Sequence, residues 1–361
     1  MKAASNNPLP FYAKTSLILM GMASLFAILF FGRTLFVPLI GATLVSIMLS
    51  PLVDFLTRKK INRIVAISLT LVLGIAIILS LVFLLSMQVA GFKESIPQMK
   101  QNIFLLSNGV KEWLSANLGI ARAKIDDWFN VQNFVNNENA MMGKTLMGVG
   151  NMLVVAVLLI VYVFLVLYYK SHLVAFVHKL FGYDDQEMVS EVLSSIKTTI
   201  KSYLVGLLLE ALLVGSLYTT GLLIIGIDYA ILLGVLAALL NIIPYVGQII
   251  AGSLSVFIAL STKSSPTYAL IVLGLFMLIQ FIDNNFFLPR IVASKVKLNA
   301  LVSIVAVIAG NLLWGVPGMF LAIPLTAICK VVFDEIGYLK PWGFLLGDAS
   351  VSKKVLGKGK K

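Results

Sequence analysis

Residues 241–252 read NIIPYVGQIIAG, between the strongly apolar stretches AILLGVLAALL (230–240) and SLSVFIAL (253–260). From Tyr229 to Asn241 the apolar arm has 13 residues and from Val246 to Leu260 it has 15, so as helices the arms reach roughly 20 to 23 Å. Neither crosses a hydrocarbon core of about 30 Å. Pro244 donates no amide and turns Ile243 away from helix, while Gly247 accepts a tight turn. The stretch therefore predicts the tip of a helical hairpin that enters and leaves on one side. Unpaired backbone at such a tip has to lie inside protein or beside water. Ala230, Gly234, Ala238 and Asn241 share one face of the first arm, and Gly247, Ala251, Ser255 and Ala259 one face of the second. Small-residue stripes of this kind let backbones pack closely.

The whole chain supports a membrane setting. Of its 361 residues 59% are hydrophobic and 12% charged, with a mean hydropathy of +0.98; a soluble domain carries about 25% charged residues. Apolar runs recur from near the N-terminus to about residue 333. No small-x-small cleavage site precedes Arg33, so the first run reads as an uncleaved span. The net charge of +12 comes from basic residues beside apolar runs, which marks topology and not nucleic-acid binding. Cys329, the single cysteine, forms no intrachain disulfide and is expected to be a small buried apolar residue.

The expected fold class is an all-α polytopic membrane protein with about 6–8 transmembrane helices plus one or two re-entrant helical hairpins. Residues 1–92 form a three-span region (about 15–32, 34–56 and 64–92), with the basic turn RKKINR (Arg58–Arg63) marking a cytoplasmic loop. Residues 93–145, with six basic and five acidic residues, form an extracytoplasmic segment of short amphipathic helices, in which Trp113 and Trp128 serve as interfacial anchors or as part of a lid. A fourth span covers 146–169. A cytoplasmic helical segment follows over 170–202, opened by a capping box at Asp184 and Glu187 with Val189, Leu193, Ile196 and Ile200 on one face. Residues 203–338 form the transport core and 339–361 a basic cytoplasmic tail. Both termini are then cytoplasmic.

A second interrupted stretch, AGNLLWGVPGMFLAIP (309–324), repeats the layout of Asn, two aliphatics, Gly and Pro, with its tip at Gly315, Pro317 and Gly318. Paired broken segments point to a binding site in transporters. Asn241, Gln248, Gln280, Asp283 and Asn311 are the candidate substrate or ion-binding residues. Gln280, Asp283, Asn284 and Phe287 are expected on one helical face, and Asp283, at a helix C-terminus, calls for a cation: either Arg290, or a bound proton, Na⁺ or solute. Glu210 lies about seven residues inside the fifth span, on a face with Tyr203, Gly206 and Val214. An acid at that depth faces a bundle interior or an aqueous cavity. Glu210 and Asp283 are the candidate proton-coupling pair, with an inert packing role the alternative for Glu210.

Several motifs carry a family likeness: NIIPYVG (241–247), LPRIV (288–292) and GVPGMFLAIPL (315–325). With them the chain resembles the autoinducer-2 exporter family of PerM-like bacterial permeases. The resemblance implies a bacterial inner-membrane exporter or ion-coupled transporter that works as a homo-oligomer. It implies as substrate a small polar furanosyl signal of the autoinducer-2 type, or Na⁺ or Li⁺ exchanged for protons. The motif positions carried over are Asn241, Pro244, Gly247, Pro289, Arg290, Gly315, Gly318 and Pro324.

An enzyme is not expected. His172 and His178 are the only histidines, no metal-spaced cluster is present, and no phosphate-binding glycine loop appears. No cofactor or metal is called for; the coupling ion is H⁺ or Na⁺, and the partners are the lipid bilayer and a small polar solute or monovalent cation. A passive channel lined by small residues and a structural scaffold are the competing classes.

Overall fold

The structure is a computed structural model and describes residues 10–118, 154–182, 185–242, 246–263 and 265–348. Among these residues it consists of helices joined by short turns, with one isolated bridge between Leu298 and Gly347. Trp128, Asp184, Pro244, residues 146–153 and the tail from 349 lie outside the described residues. The chain divides into two compact units, residues 1–45 with 298–361, and residues 46–297.

The first unit holds α1 (Phe11–Phe31), the opening of α2 (Arg33–Arg58), α10 (Ala300–Trp314), α11 (Val316–Glu335) and α12 (Lys340–Leu346). α1 buries none of its residues and is apolar on every side, the surface of a helix immersed in lipid. Its Leu29 carbonyl accepts the Trp314 indole N–H at 2.9 Å. Asn299 starts α10: its Oδ1 accepts the Val302 amide at 2.8 Å, while its Nδ2 donates to the Leu345 carbonyl at 2.8 Å. One side chain thus caps α10 and fixes the approach of α12.

The turn between α10 and α11 is Gly315, at φ +67°, a conformation open to glycine and costly for other residues. α11 has 20 residues and is long and apolar enough to cross a membrane; α10, with 15, is shorter. The arms of the second hairpin are therefore unequal. Among the described residues six helices are long and apolar enough to cross a membrane, or seven if the bent pair Val154–Tyr168 and Lys170–Leu180 counts as one span.

In the second unit, α3 runs without a break from Arg63 to Leu118, 56 residues. Residues 93–118 accordingly continue the third span and do not form separate short helices. No proline beyond Pro97 and no glycine pair interrupts them, and Asn102 ties the extension down by donating to the Ser261 carbonyl at 2.6 Å. Next come α4 (Val154–Tyr168) and α5 (Lys170–Leu180), bent by 66° at Tyr169. Two cations hold the bend. Arg63 Nη2 donates to the Leu167 carbonyl at 2.8 Å, one of the orphan acceptors at a helix end. Lys170 Nζ donates to Ser50 Oγ at 2.6 Å and pairs with Asp54 at 3.2 Å.

α6 (Gln186–Ile225) is one helix of 40 residues, so the segment expected to be cytoplasmic and the fifth span are continuous across residue 202. It ends at Gly226, φ +79°, whose amide returns to the Leu222 and Leu223 carbonyls. The first hairpin follows as α7 (Ala230–Asn241) and α8 (Val246–Thr262). Their 12 and 17 residues span roughly 18 and 26 Å, shorter than a membrane core, as the sequence predicts. Then α9 (Thr267–Ile282) passes directly into a wide-turn π-helical segment, Asp283–Ala293.

Small residues set the packing. A Cβ on Gly234 would strike Thr219, one on Gly215 would strike Ala238, and one on Gly247 would overlap the Leu240 carbonyl. α7 therefore lies directly on α6, and the two hairpin arms close on each other beside the tip. Tyr218, Leu222, Leu233, Ile258, Val272 and Phe276 form the core among α6, α7, α8 and α9. Cys329, expected to be buried, is exposed on α11. In a membrane protein an exposed helix face meets lipid, so an apolar residue gains nothing by turning inward there.

Candidate functional site

The site grows from three local features of the second unit. The first is α6, where Tyr203, Gly206, Glu210, Val214 and Tyr218 recur at helical spacing and all are buried. Gly206 makes the approach possible, because a Cβ there would collide with the Ile291 carbonyl of the π-helical segment. The second is that segment itself. Pro289 has no N–H to return to the carbonyl four residues back, and the helix widens; Ser294 N–H donates to the Pro289 carbonyl, five residues earlier. Such widened turns occur frequently at functional sites. The third is the hairpin, whose arms bring Asn241 and Gln248 to either side of the break.

These features converge on a partly buried polar chain. Asn241 Nδ2 donates to Asp283 Oδ2 at 3.2 Å, and Gln248 Nε2 donates to Asn241 Oδ1 at 2.5 Å. The carboxyl groups of Glu210 and Asp283 lie close enough to act on each other electrostatically. Both residues are almost fully buried, at 3% and 2% exposure. A hydrogen bond between two carboxyl groups needs a proton between them, because ionised carboxylates only accept. Glu210 Oε2 and Asp283 Oδ1 have no hydrogen-bond partner among the described residues.

Two phenols border the pair. Tyr203 is an electrostatic neighbour of Glu210, and Tyr218 of Asp283. Tyr218 also stacks on Phe276, ring centroids 4.3 Å apart. Sequence reasoning did not single out Tyr218, although it lies eight residues from Glu210 and so on the same helical face.

The other candidates are distributed differently. Gln280, half-buried, donates to Asn284 at 2.9 Å, while its Oε1 is buried without a hydrogen-bond partner among the described residues. Of the four residues expected on one face, Gln280 and Asn284 are joined by that bond, whereas Asp283 is buried and Asn284 exposed. Arg290 is exposed, with its guanidinium over the Phe286 ring at 5.3 Å, and among the described residues it makes no ion pair with Asp283. Asn311 lies in the other unit, exposed one turn before Gly315. Pro317 occupies the exposed first turn of α11, and Gly318 is buried against Gly310. The cluster of Ser50, Asp54 and Lys170 was also missed; Ser46, Ser50 and Asp54 recur every four residues along α2, a signal visible in the sequence.

Comparison with known proteins bears on the whole arrangement. The family described as AI-2E family transporter matches residues 16–337. The chain is 26% identical over 322 residues to YueF of Bacillus subtilis, covering 85% of each chain. It is 24% identical over 344 residues to YhhT of Escherichia coli, covering 94% of this chain and 97% of that one. The AI-2 transport protein TqsA of Escherichia coli is 26% identical over 326 residues, 88% of this chain and 91% of that protein.

Proposed function

We propose a specific mode of transport from one premise: the chain belongs to the AI-2E transporter family. It is a multi-pass membrane transporter that exports a small polar solute of the AI-2 type from the bacterial cytoplasm across the inner membrane, driven by a proton or cation gradient. Its relative TqsA, an AI-2 transport protein, supports that solute class. Alternating access proceeds by movement of the hairpin region, with both termini cytoplasmic. The observation that carries the reading is the proximity of Glu210 to Asp283, which is joined through Asn241 to the broken hairpin.

A carboxyl pair inside a helix bundle exchanges protons at low cost only if its neighbours respond to the change in charge. Here the neighbours are amides at the break of a helix, where backbone and side-chain dipoles are free to replace hydration around a solute. A ligand shifts such an equilibrium only through different affinities for the two states.

Purified protein in liposomes tests this. Uptake of AI-2 that saturates and responds to an imposed pH gradient is the expected result; conductance without saturation would instead mean a channel. The second reading, Na⁺ or Li⁺ exchange for protons, is favoured by two buried carboxyl oxygens without donors. Cation uptake against a proton gradient, with no AI-2 movement, would establish it in place of the first.

A further inference from the structure

We propose that Gln248 is a positioning residue for the proton-linked step. Through Asn241 it forms an amide relay whose direction reverses when Asp283 Oδ2 takes a proton, and this changes the atom that the hairpin presents beyond Gln248. The proposal rests on the proton-linked reading above and adds to it the means by which proton and solute feel each other.

The relay is directional. An ionised carboxylate oxygen accepts and never donates, so Asn241 turns its NH₂ to Asp283 Oδ2 at 3.2 Å. That leaves Asn241 Oδ1 to accept from Gln248 Nε2 at 2.5 Å, and Gln248 Oε1 stands at the far end of the chain. In this scheme a first proton sits on the Glu210–Asp283 pair, two of whose oxygens, Glu210 Oε2 and Asp283 Oδ1, have no donor among the described residues. A second proton, arriving from the aqueous side, gains a new acceptor on Asp283 Oδ2 if Asn241 turns over. Asp283 Oδ2–H then donates to Asn241 Oδ1, Asn241 Nδ2 donates to Gln248 Oε1, and Gln248 Nε2 becomes the far end. No covalent bond other than the O–H forms or breaks, and the proton leaves by the reverse route.

Both orientations keep the two hydrogen bonds of the Asp283–Asn241–Gln248 chain, and they differ by two rotations about the terminal side-chain torsions, which are soft and roughly two-fold. A mixed orientation would set two NH₂ groups or two carbonyl oxygens against each other, so the amides switch together. With one proton on the pair the hairpin offers a carbonyl oxygen, suited to a cation or to a hydroxyl donor. With two protons it offers an NH₂, which repels a cation. Gln248 is half-buried while Asp283 is 2% exposed; the relay thus carries the state of an enclosed group to a more accessible one.

The charged and titratable groups around Asp283 do not supply a competing switch. From α6 it is faced by Glu210 and Tyr218, with Tyr203 beside Glu210. α7 and α8 contain no charged residue. On its own segment Arg290 lies over Phe286.

The test uses the full chain in liposomes, with AI-2 and sodium ion as separate probes. Apparent affinity is measured against pH for the unaltered protein, Gln248→Met and Asn241→Leu. The unaltered protein is expected to change its KM by about tenfold or more across the titration, within the usual range for coupled sites, and both variants to lose most of that change. Loss in KM, not in kcat alone, separates the relay from simple loss of packing. If the unaltered protein shows no pH dependence, the proton-linked reading falls and the relay with it. If it does, and both variants keep its profile, the relay alone is overturned. Should neither variant insert, the unaltered protein carrying isotope-labelled glutamine decides: a side-chain carbonyl infrared band that shifts between the two pH extremes supports reversal, and its absence refutes it.

Discussion

Gly310 and Gly318 face each other across the second hairpin so closely that a Cβ on either would overlap the other's backbone carbonyl. Helices meet this tightly in membranes because packing contacts, not water exclusion, hold them together. Gly310→Ala and Gly318→Ala should each destabilise the protein by about 1 to 3 kcal/mol, the usual range for overpacking. Gly21→Ala, where a Cβ has open space, should be neutral. Thermal unfolding of the purified variants in detergent compares the three.

Glu210→Gln and Asp283→Asn keep the shape of the buried pair and remove one titrating site each. Transport in both variants is expected to lose its dependence on pH while insertion and oligomeric state are retained. The sign follows from the acceptors: the amide at 283 still accepts from Asn241 through its carbonyl oxygen, but it can no longer take the second proton. A wild-type pH profile in both variants would show that the pair is a packing feature only.

Arg63 donates to the Leu167 carbonyl and to Ser171, at 2.8 and 3.3 Å, across the 66° bend between α4 and α5. Arg63→Ala should leave that carbonyl uncapped and cost about 1 kcal/mol, less than a fully buried charged hydrogen bond because the site is partly exposed. Arg63→Lys should recover only part of this, since a single ammonium does not reproduce the fork. Protease susceptibility near residues 167–171 measures the loosening of the bend.

Ile242 borders the break of the first hairpin, whereas Val316 opens a helix long enough to cross the membrane. In a Cys329→Ala background, a cysteine at 242 should react slowly with bulky impermeant reagents from either side. A cysteine at 316 should react promptly from one side, as expected of the end of a full span. Equal and slow labelling at both positions would instead support two re-entrant hairpins.

Local rules made much of this protein legible before any tertiary information. The interruption after Asn241 lies where the sequence puts it, and the Gly315 turn follows from a conformation that glycine alone adopts cheaply. Glu210 stood out because an acid inside an apolar helix has to face something polar. The close fit of α6 on α7 could be expected from Gly234 and Ala238. Each of these depends on neighbours along the chain or on the contrast between one residue and the lipid around it.

The partner of Asp283 is a different kind of question. Sequence position suggested Arg290, seven residues away, because a helix C-terminus favours a cation. The folded chain pairs Asp283 with Glu210 and Asn241 and leaves Arg290 over Phe286. Asp283 opens a π-helical segment that contains Pro289, and an α-helical wheel does not hold along it as far as Arg290. Likewise, the polarity of residues 93–118 indicated short interfacial helices, yet α3 continues straight through them, held by Asn102 on Ser261. Hydrophobic pattern and turn residues determined which segments are helical and where they break. Which buried polar groups satisfy one another was decided only by tertiary packing, since a hydrogen bond depends on the positions of two atoms brought together from distant parts of the chain.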